Sequence, residues 1–203
     1  LNRRIMETAQ FVMNVMEKDG FDDTGRAIRT TQKIRLIHAS IRYYLHEQDW
    51  DTENFGEPIN QEDMAGTLMS FSWSMIEGLE QLGVGLKPDE QEAYFHAWRV
   101  IGWLMGLDHD LIPDNVDQGK ALTEQVLARQ SAPSEAGKLL TKSLTAYLGS
   151  LMPGRLMDQL SPMLMRELIG DDTADMIGVD RHYGWWTRFL SWWMGWVLDD
   201  LGD

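Results

Sequence analysis

The sequence predicts an all-α fold, and three observations carry that prediction. Apolar residues recur at spacings of three and four along nearly the whole chain, strict apolar–polar alternation over six or more residues is hard to find, and the start and stop signals between segments are those of helices. The pattern places the first two helices near 2–18 and 27–47, the second with Ile34, Ile37, Ile41 and Leu45 along one side. A polar loop follows over 49–58, with Gly56 inside it. The third helix, 60–82, opens at Asn60 as N-cap with Glu62 and Asp63 in its first turn. Gly83 and Gly85 end it, and Pro88 starts the fourth, 88–106. A second loop, 108–114 around Pro113, leads to helices near 114–130, 135–151, 154–169 and 184–200.

At 203 residues, 43% hydrophobic and 10% aromatic, the chain can build one sizeable core, and a single domain over 1–203 is expected. The formal net charge of −14 argues against a nucleic-acid partner, because phosphate binding is driven by a basic face and counterion release. With no cysteine there is no disulfide, no Cys-ligated zinc or iron–sulfur cluster and no covalently attached c-type haem. A metal must be held by His, Asp, Glu or Tyr. The chain starts at Leu1 already in a helical pattern, so a trimmed upstream segment is expected. No leader pattern and no run of about 18 uncharged apolar residues occurs, so no transmembrane segment is expected. A cytoplasmic location follows, with export through a removed N-terminal signal as the alternative.

Residues 35–42 read Arg-Leu-Ile-His-Ala-Ser-Ile-Arg, which on a helix sets Arg35 one turn before His38 and Arg42 one turn after it. Two guanidiniums disfavour the imidazolium and leave the neutral ring that a metal requires, and arginines also suit the carboxylates of a bound group. The same spacing is more often a partly buried surface stripe. Spacing alone does not separate the two.

The ordered context of this stripe is more specific. Arg35 to Arg42 followed by Tyr43-Tyr44-Leu45, then 58–68 (Pro-Ile-Asn-Gln-Glu-Asp-Met-Ala-Gly-Thr-Leu) with Phe71-Ser72, resembles the family of latex clearing protein (rubber oxygenase) and the MpaB oxygenase. Glu92-Ala93-Tyr94, 96–102 (His-Ala-Trp-Arg-Val-Ile-Gly) and 166–170 (Arg-Glu-Leu-Ile-Gly) extend that resemblance over residues 4 to about 180. The resemblance implies a helical domain around a buried pocket for non-covalent haem b, with His38 as the proximal iron ligand and Arg35 and Arg42 orienting or neutralising the haem. Arg4 and Thr8 match an Arg-x-x-x-Thr pair that approaches the haem from the distal side. The implied chemistry is dioxygen-dependent cleavage of a carbon–carbon double bond. Rubber-cleaving members can have a lysine just before that threonine, whereas this chain has Glu7. The implied substrate is therefore an isoprenoid or another unsaturated apolar molecule rather than rubber in particular. Met13, Met16, Leu36 and the Met64–Met75 stretch are candidates to line its pocket, although methionine at helical spacing is ordinarily core.

Other readings compete with this one. Glu92 and His96, with Glu62 and Glu77 on the preceding helix, suggest a di-iron carboxylate site, but a Glu-x-x-His pair at a spacing of three does not occur twice. His46 and His109 read as exposed, His96 as a hydrogen-bonded helix residue and His182 as a weak second ligand. No Gly-rich phosphate loop or Gly-x-Ser-x-Gly elbow is present. The run 185–196, with five of nine tryptophans, reads first as a helix packed on the core, and otherwise as a lid or a weak membrane-surface contact. Two functional alternatives remain open: a helical haem carrier or sensor without the chemistry, and a metal-free protein whose arginines grip an anionic ligand or partner helix.

Overall fold

A computed structural model describes residues 2–151 and 155–181, which are helices and turns with no strand among them. The chain divides into two compact units, one of Arg3–Met75 with Lys87–Arg129, the other of Ile76–Leu86 with the residues from Gln130 onward and Leu1–Asn2.

The first unit begins with α1 (Asn2–Val15) and α2 (Arg26–Glu47). The turn between them is drawn tight by the Ala27 amide, which donates to the Gly20 carbonyl over 2.9 Å. A Cβ on Gly25 would lie 2.0 Å from that same carbonyl oxygen, so only glycine fits there. Asn14, near the end of α1, donates to the Thr30 hydroxyl near the start of α2 over 3.3 Å, so the helices run antiparallel from that end. Next come α3 (Thr52–Phe55), capped by the Asp51 side chain, and α4 (Gln61–Phe71). Asn60 is the N-cap the sequence predicts, and with Asp63 it forms a reciprocal capping box that satisfies the first amides of α4.

The helix expected over 60–82 is broken at Ser72 into α4 and α5 (Trp73–Gln81). Ser72 has φ −104° and ψ −84°, and its buried hydroxyl donates to the Leu68 carbonyl over 2.8 Å. A hydroxyl bonded back into the preceding turn is a known cause of helix bending, and it leaves no mark on the apolar period. The next helix, α6 (Pro88–Met105), is closed by Gly106 at φ +89°. A 3-10 turn (His109–Leu111) lies inside the expected 108–114 loop, and α7 (Val116–Gln130) completes the unit. Helix α6 packs against both α2 and α4. Leu68 and Met69 of α4 are buried with Phe95, Trp98 and Ile101 of α6, each such side chain contributing roughly 1.5–3 kcal/mol of apolar burial.

In the other unit α9 (Arg155–Ile169) packs against α8 (Glu135–Leu151) and α10 (Asp171–Met176). Its polar knot is Arg166, whose side chain is only 3% exposed. The guanidinium donates to Asp171, to Asp175 (2.8 Å) and to the Val179 carbonyl (2.9 Å), and Arg181 pairs with the same Asp175. No described helix is long and apolar enough to cross a membrane. The helix expected at 184–200, with its tryptophan run and His182, lies outside the described residues.

Candidate functional site

The first unit contains a cavity of about 1010 Å³, and it explains why α1 and α2 alternate in character along their lengths. Helix α1 gives it two neighbouring strips at helical spacing, Arg4-Thr8-Phe11 and Arg3-Glu7-Gln10-Asn14. Helix α2 gives Thr30, Lys33, Ile34, Ile37 and His38. The apolar walls come from Met64, Leu68 and Phe71 of α4 and from Trp98, Ile101 and Met105 of α6. Phe71 and Trp98 stack with ring centroids 5.2 Å apart, which fixes the floor where the two helices meet. Close approach there depends on Gly102, because a Cβ at this position would sit 2.6 Å from a Leu68 methyl.

His38 is half-buried on this wall, and its Nδ1 is buried without a hydrogen-bond partner. Burial pushes its pKa below the ordinary imidazole value, and the positive charges of Arg42 and then Arg4 push it the same way. The ring is therefore neutral near pH 7. Arg4 and Thr8 share the cavity with it, the Thr8 hydroxyl donating to the Arg4 carbonyl over 3.0 Å. Glu7 lies between two arginines, 2.8 Å from Arg3 Nε and 3.8 Å from an Arg4 Nη, and these keep its carboxyl below the usual carboxylate range.

Arg35 and Arg42 flank His38 in sequence, as expected, but neither lines the cavity. Arg35 donates to the Leu104 carbonyl over 3.2 Å and lies against Gly106, holding the last turn of α6 where a cation is favoured. Arg42 donates to the Ile59 carbonyl over 3.3 Å. Ile59 has φ +54°, a strained conformation for a β-branched residue, and its side chain reaches the cavity. The two arginines thus brace the walls: Arg35 holds α6, and Arg42 holds the loop that enters α4. Of the residues expected to line a pocket, Met64, Thr67, Leu68 and Phe71 of the 64–75 stretch do so. Met13 and Leu36 are about 70% and 69% exposed and point elsewhere, and Met69 belongs to the core.

Among the described residues no group of three or more His, Asp or Glu side chains is placed to hold a bare metal ion. The di-iron candidates are otherwise engaged, since Glu92 caps the Val116 amide at 3.1 Å and Glu62 pairs with Arg129 at 3.2 Å. His46 pairs with Glu57 and His109 is exposed. A single neutral imidazole on an apolar cavity is nonetheless a fitting donor set for a macrocycle that brings its own four nitrogens. Because Nδ1 is shut off from solvent, a group in the cavity would be met by the other ring nitrogen, Nε2. The residues present fit a haem.

Sequence reasoning did not single out Arg3 or Lys33, and it named Ile59 and Trp98 only as members of the quoted motifs. Charges on an amphipathic helix read as a solvated face and tryptophan reads as core. The signal for the first two was their spacing, since Arg3 shares a strip with Glu7, and Lys33 lies three residues after Thr30 and four before Ile37 on α2.

Known proteins with the same pattern are consistent with this geometry. The model of the family "ER-bound oxygenase mpaB/B'/Rubber oxygenase, catalytic domain" matches residues 1–198. The rubber oxygenase of Streptomyces sp. (strain K30) is 30% identical over 181 residues, covering 88% of this chain and 44% of that protein. A solved structure of latex clearing protein in the closed state superposes with a TM-score of 0.82 at 26% identity, over 96% of this chain and 53% of the other. The chain spans about half the length of the relatives it matches.

Proposed function

Because the chain belongs to the catalytic-domain family of the ER-bound oxygenase mpaB/B' and rubber oxygenase, we propose that it is a haem b-dependent oxygenase core. Its substrate class would be an isoprenoid or another unsaturated apolar molecule, and dioxygen its second substrate. One observation carries the reading: a neutral, half-buried histidine lies in a largely apolar cavity together with Arg4 and Thr8. His38 would hold the iron. Haem iron, when bound, supplies the activation of dioxygen by which both oxygen atoms can pass to the two carbons of a double bond, giving two carbonyl groups.

The chain's own residues do the rest. Burial and the fields of Arg42 and Arg4 keep the His38 ring unprotonated, so its nitrogen lone pair is available. The Arg4 guanidinium places a fixed positive charge and N–H donors in the cavity, where developing negative charge on oxygen is stabilised. The Thr8 hydroxyl donates to the Arg4 carbonyl, which fixes its rotamer and leaves its lone pairs as acceptors. Met64, Phe71, Trp98 and Ile101 exclude water and accept hydrocarbon. Arg35 and Arg42 keep those walls in place through the Leu104 and Ile59 carbonyls.

Protein purified from cells supplied with haem, or reconstituted with it, is expected to show a Soret band that His38→Ala abolishes. A colourless preparation that cannot be reconstituted sinks the proposal. Oxygen uptake with unsaturated isoprenoids is then expected in the wild type and expected to fall in Arg4→Ala, by less than a fully buried charge stabiliser would give because the Arg4 side chain is 68% exposed.

A further inference from the structure

The polar edge of the cavity is at odds with a purely hydrocarbon ligand. In a chain of formal charge −14, the cavity lining gathers three cations, Arg3, Arg4 and Lys33, against two carboxylates, Glu7 and Asp63. Asp63 is committed elsewhere, because its side chain accepts the Asn60 amide in the α4 capping box. Glu7 alone faces the cations. It sits 2.8 Å from Arg3 and 3.8 Å from Arg4, and Lys33 is close enough to act on it while forming no salt bridge of its own among the described residues. The edge is thus already built around one carboxylate, with more positive charge than that carboxylate neutralises.

A neutral polyprenyl chain laid in this cavity would leave the cations at its rim, Arg3 and Arg4 with side chains 89% and 68% exposed, with no anionic partner beyond Glu7 among the described residues. An anionic head beside an apolar tail satisfies both halves of the lining. We infer that the cavity takes an amphiphile whose carboxylate or phosphate head lies at the Arg3–Arg4–Lys33 edge and whose hydrocarbon lies along Met64, Phe71, Trp98 and Ile101. The inference rests on the oxygenase reading, for which it names the ligand class. The anion can come from two sources with the same chemistry, the head group of an unsaturated acid or the propionates of the haem itself. Glu7 sets the affinity from inside: as a resident carboxylate it competes with the incoming one, so removing its charge strengthens anion binding.

Calorimetry on the haem-reconstituted protein with oleate and methyl oleate tests this, with circular dichroism confirming that each variant is folded. Oleate is expected to bind about tenfold tighter than its ester, a difference of ~1.4 kcal/mol. Arg3→Gln/Lys33→Gln, both at exposed positions, is expected to remove that preference, and Glu7→Gln is expected to widen it several-fold. Equal binding of acid and ester with both native haem and haem dimethyl ester, or a preference that survives the double substitution or shrinks in Glu7→Gln, overturns the inference. The source is resolved by repeating the titration on protein reconstituted with haem dimethyl ester. A preference present with both haems assigns the edge to the second ligand, whereas one present only with the diester assigns it to the propionates. Failure of the oxygenase reading looks different: no Soret band forms, while the oleate and methyl oleate titrations still report on the edge.

Discussion

At His38 the chemistry depends on one proton. The ring is kept neutral by burial first, by Arg42 second and by Arg4 third, so its titration is expected below the ordinary value of about 6.5. A histidine NMR titration of the haem-free protein, with the resonance assigned by its loss in His38→Gln, checks this; a midpoint at or above 6.5 would contradict it. Arg42→Ala is expected to move the midpoint upward without restoring the ordinary value, because the larger cause remains. The same variant frees the Ile59 carbonyl, so its effect on ligand affinity joins a charge change to a wall change. Arg35→Ala separates them, since Arg35 is not among the causes acting on the imidazole. It is expected to leave the midpoint in place while loosening the end of α6.

Among the elements, α4 and α6 decide the cavity's floor, and their spacing is set by Gly102. Gly102→Ala would bring a Cβ to 2.6 Å from a buried Leu68 methyl, an overpacking that typically costs about 1–3 kcal/mol. Leu68→Ala alone should cost ~2–5 kcal/mol through lost burial and the space left behind. The double variant is expected to be more stable than the sum implies, with a coupling of about 0.5–3 kcal/mol measured by urea unfolding; strict additivity would show that the two residues do not share this contact. Much of this layer can be read from the chain. The α4 cap, the ends of α6 and the span of α8 follow from local rules: Asn60 bonds three residues on, Pro88 opens a helix, and the apolar period names the buried side. The break at Ser72 does not, because it depends on a hydroxyl turning back to Leu68 inside an uninterrupted pattern. The site divides the same way. His38, Arg4 and Thr8 come from an ordered motif and meet in one cavity, whereas the roles of Arg35 and Arg42 depend on the Leu104 and Ile59 carbonyls, 69 and 17 residues away in sequence. Helical spacing states which residues share a face but not what lies across from it.

For the molecule as a whole, acid should act on the two units in different pH ranges, because the groups that fasten them shift from different starting points. His38 in the first unit has a folded pKa depressed from about 6.5. Its contribution to stability is complete above that value and declines as pH falls below it, where the unfolded chain takes up a proton the folded one resists. Asp175 in the other unit is held far below the usual carboxylate range, first by Arg181 and next by Arg166. Its contribution is complete above the ordinary carboxylate pKa of about 3.9 and is lost only as pH falls through and below that value. Hydrogen exchange followed by mass spectrometry from pH 7 to 3 is therefore expected to show α1 and α2 losing protection relative to pH 7 beginning near pH 6. Peptides of α9 and α10 should hold theirs to about pH 4, once the intrinsic pH dependence of exchange is removed. Asp175→Asn is expected to lower protection of α9 and α10 at pH 7 and to flatten their loss below pH 4, with α1 and α2 unchanged. Arg166→Ala strands the buried Val179 carbonyl and is expected to lower protection of α9 and α10 further, while Asp171 and Asp175, 71% and 41% exposed, regain water. Loss of protection in both units at one common pH would show that the acid response is governed by the net positive charge that builds up below the isoelectric point of about 4.7 rather than by these two fasteners.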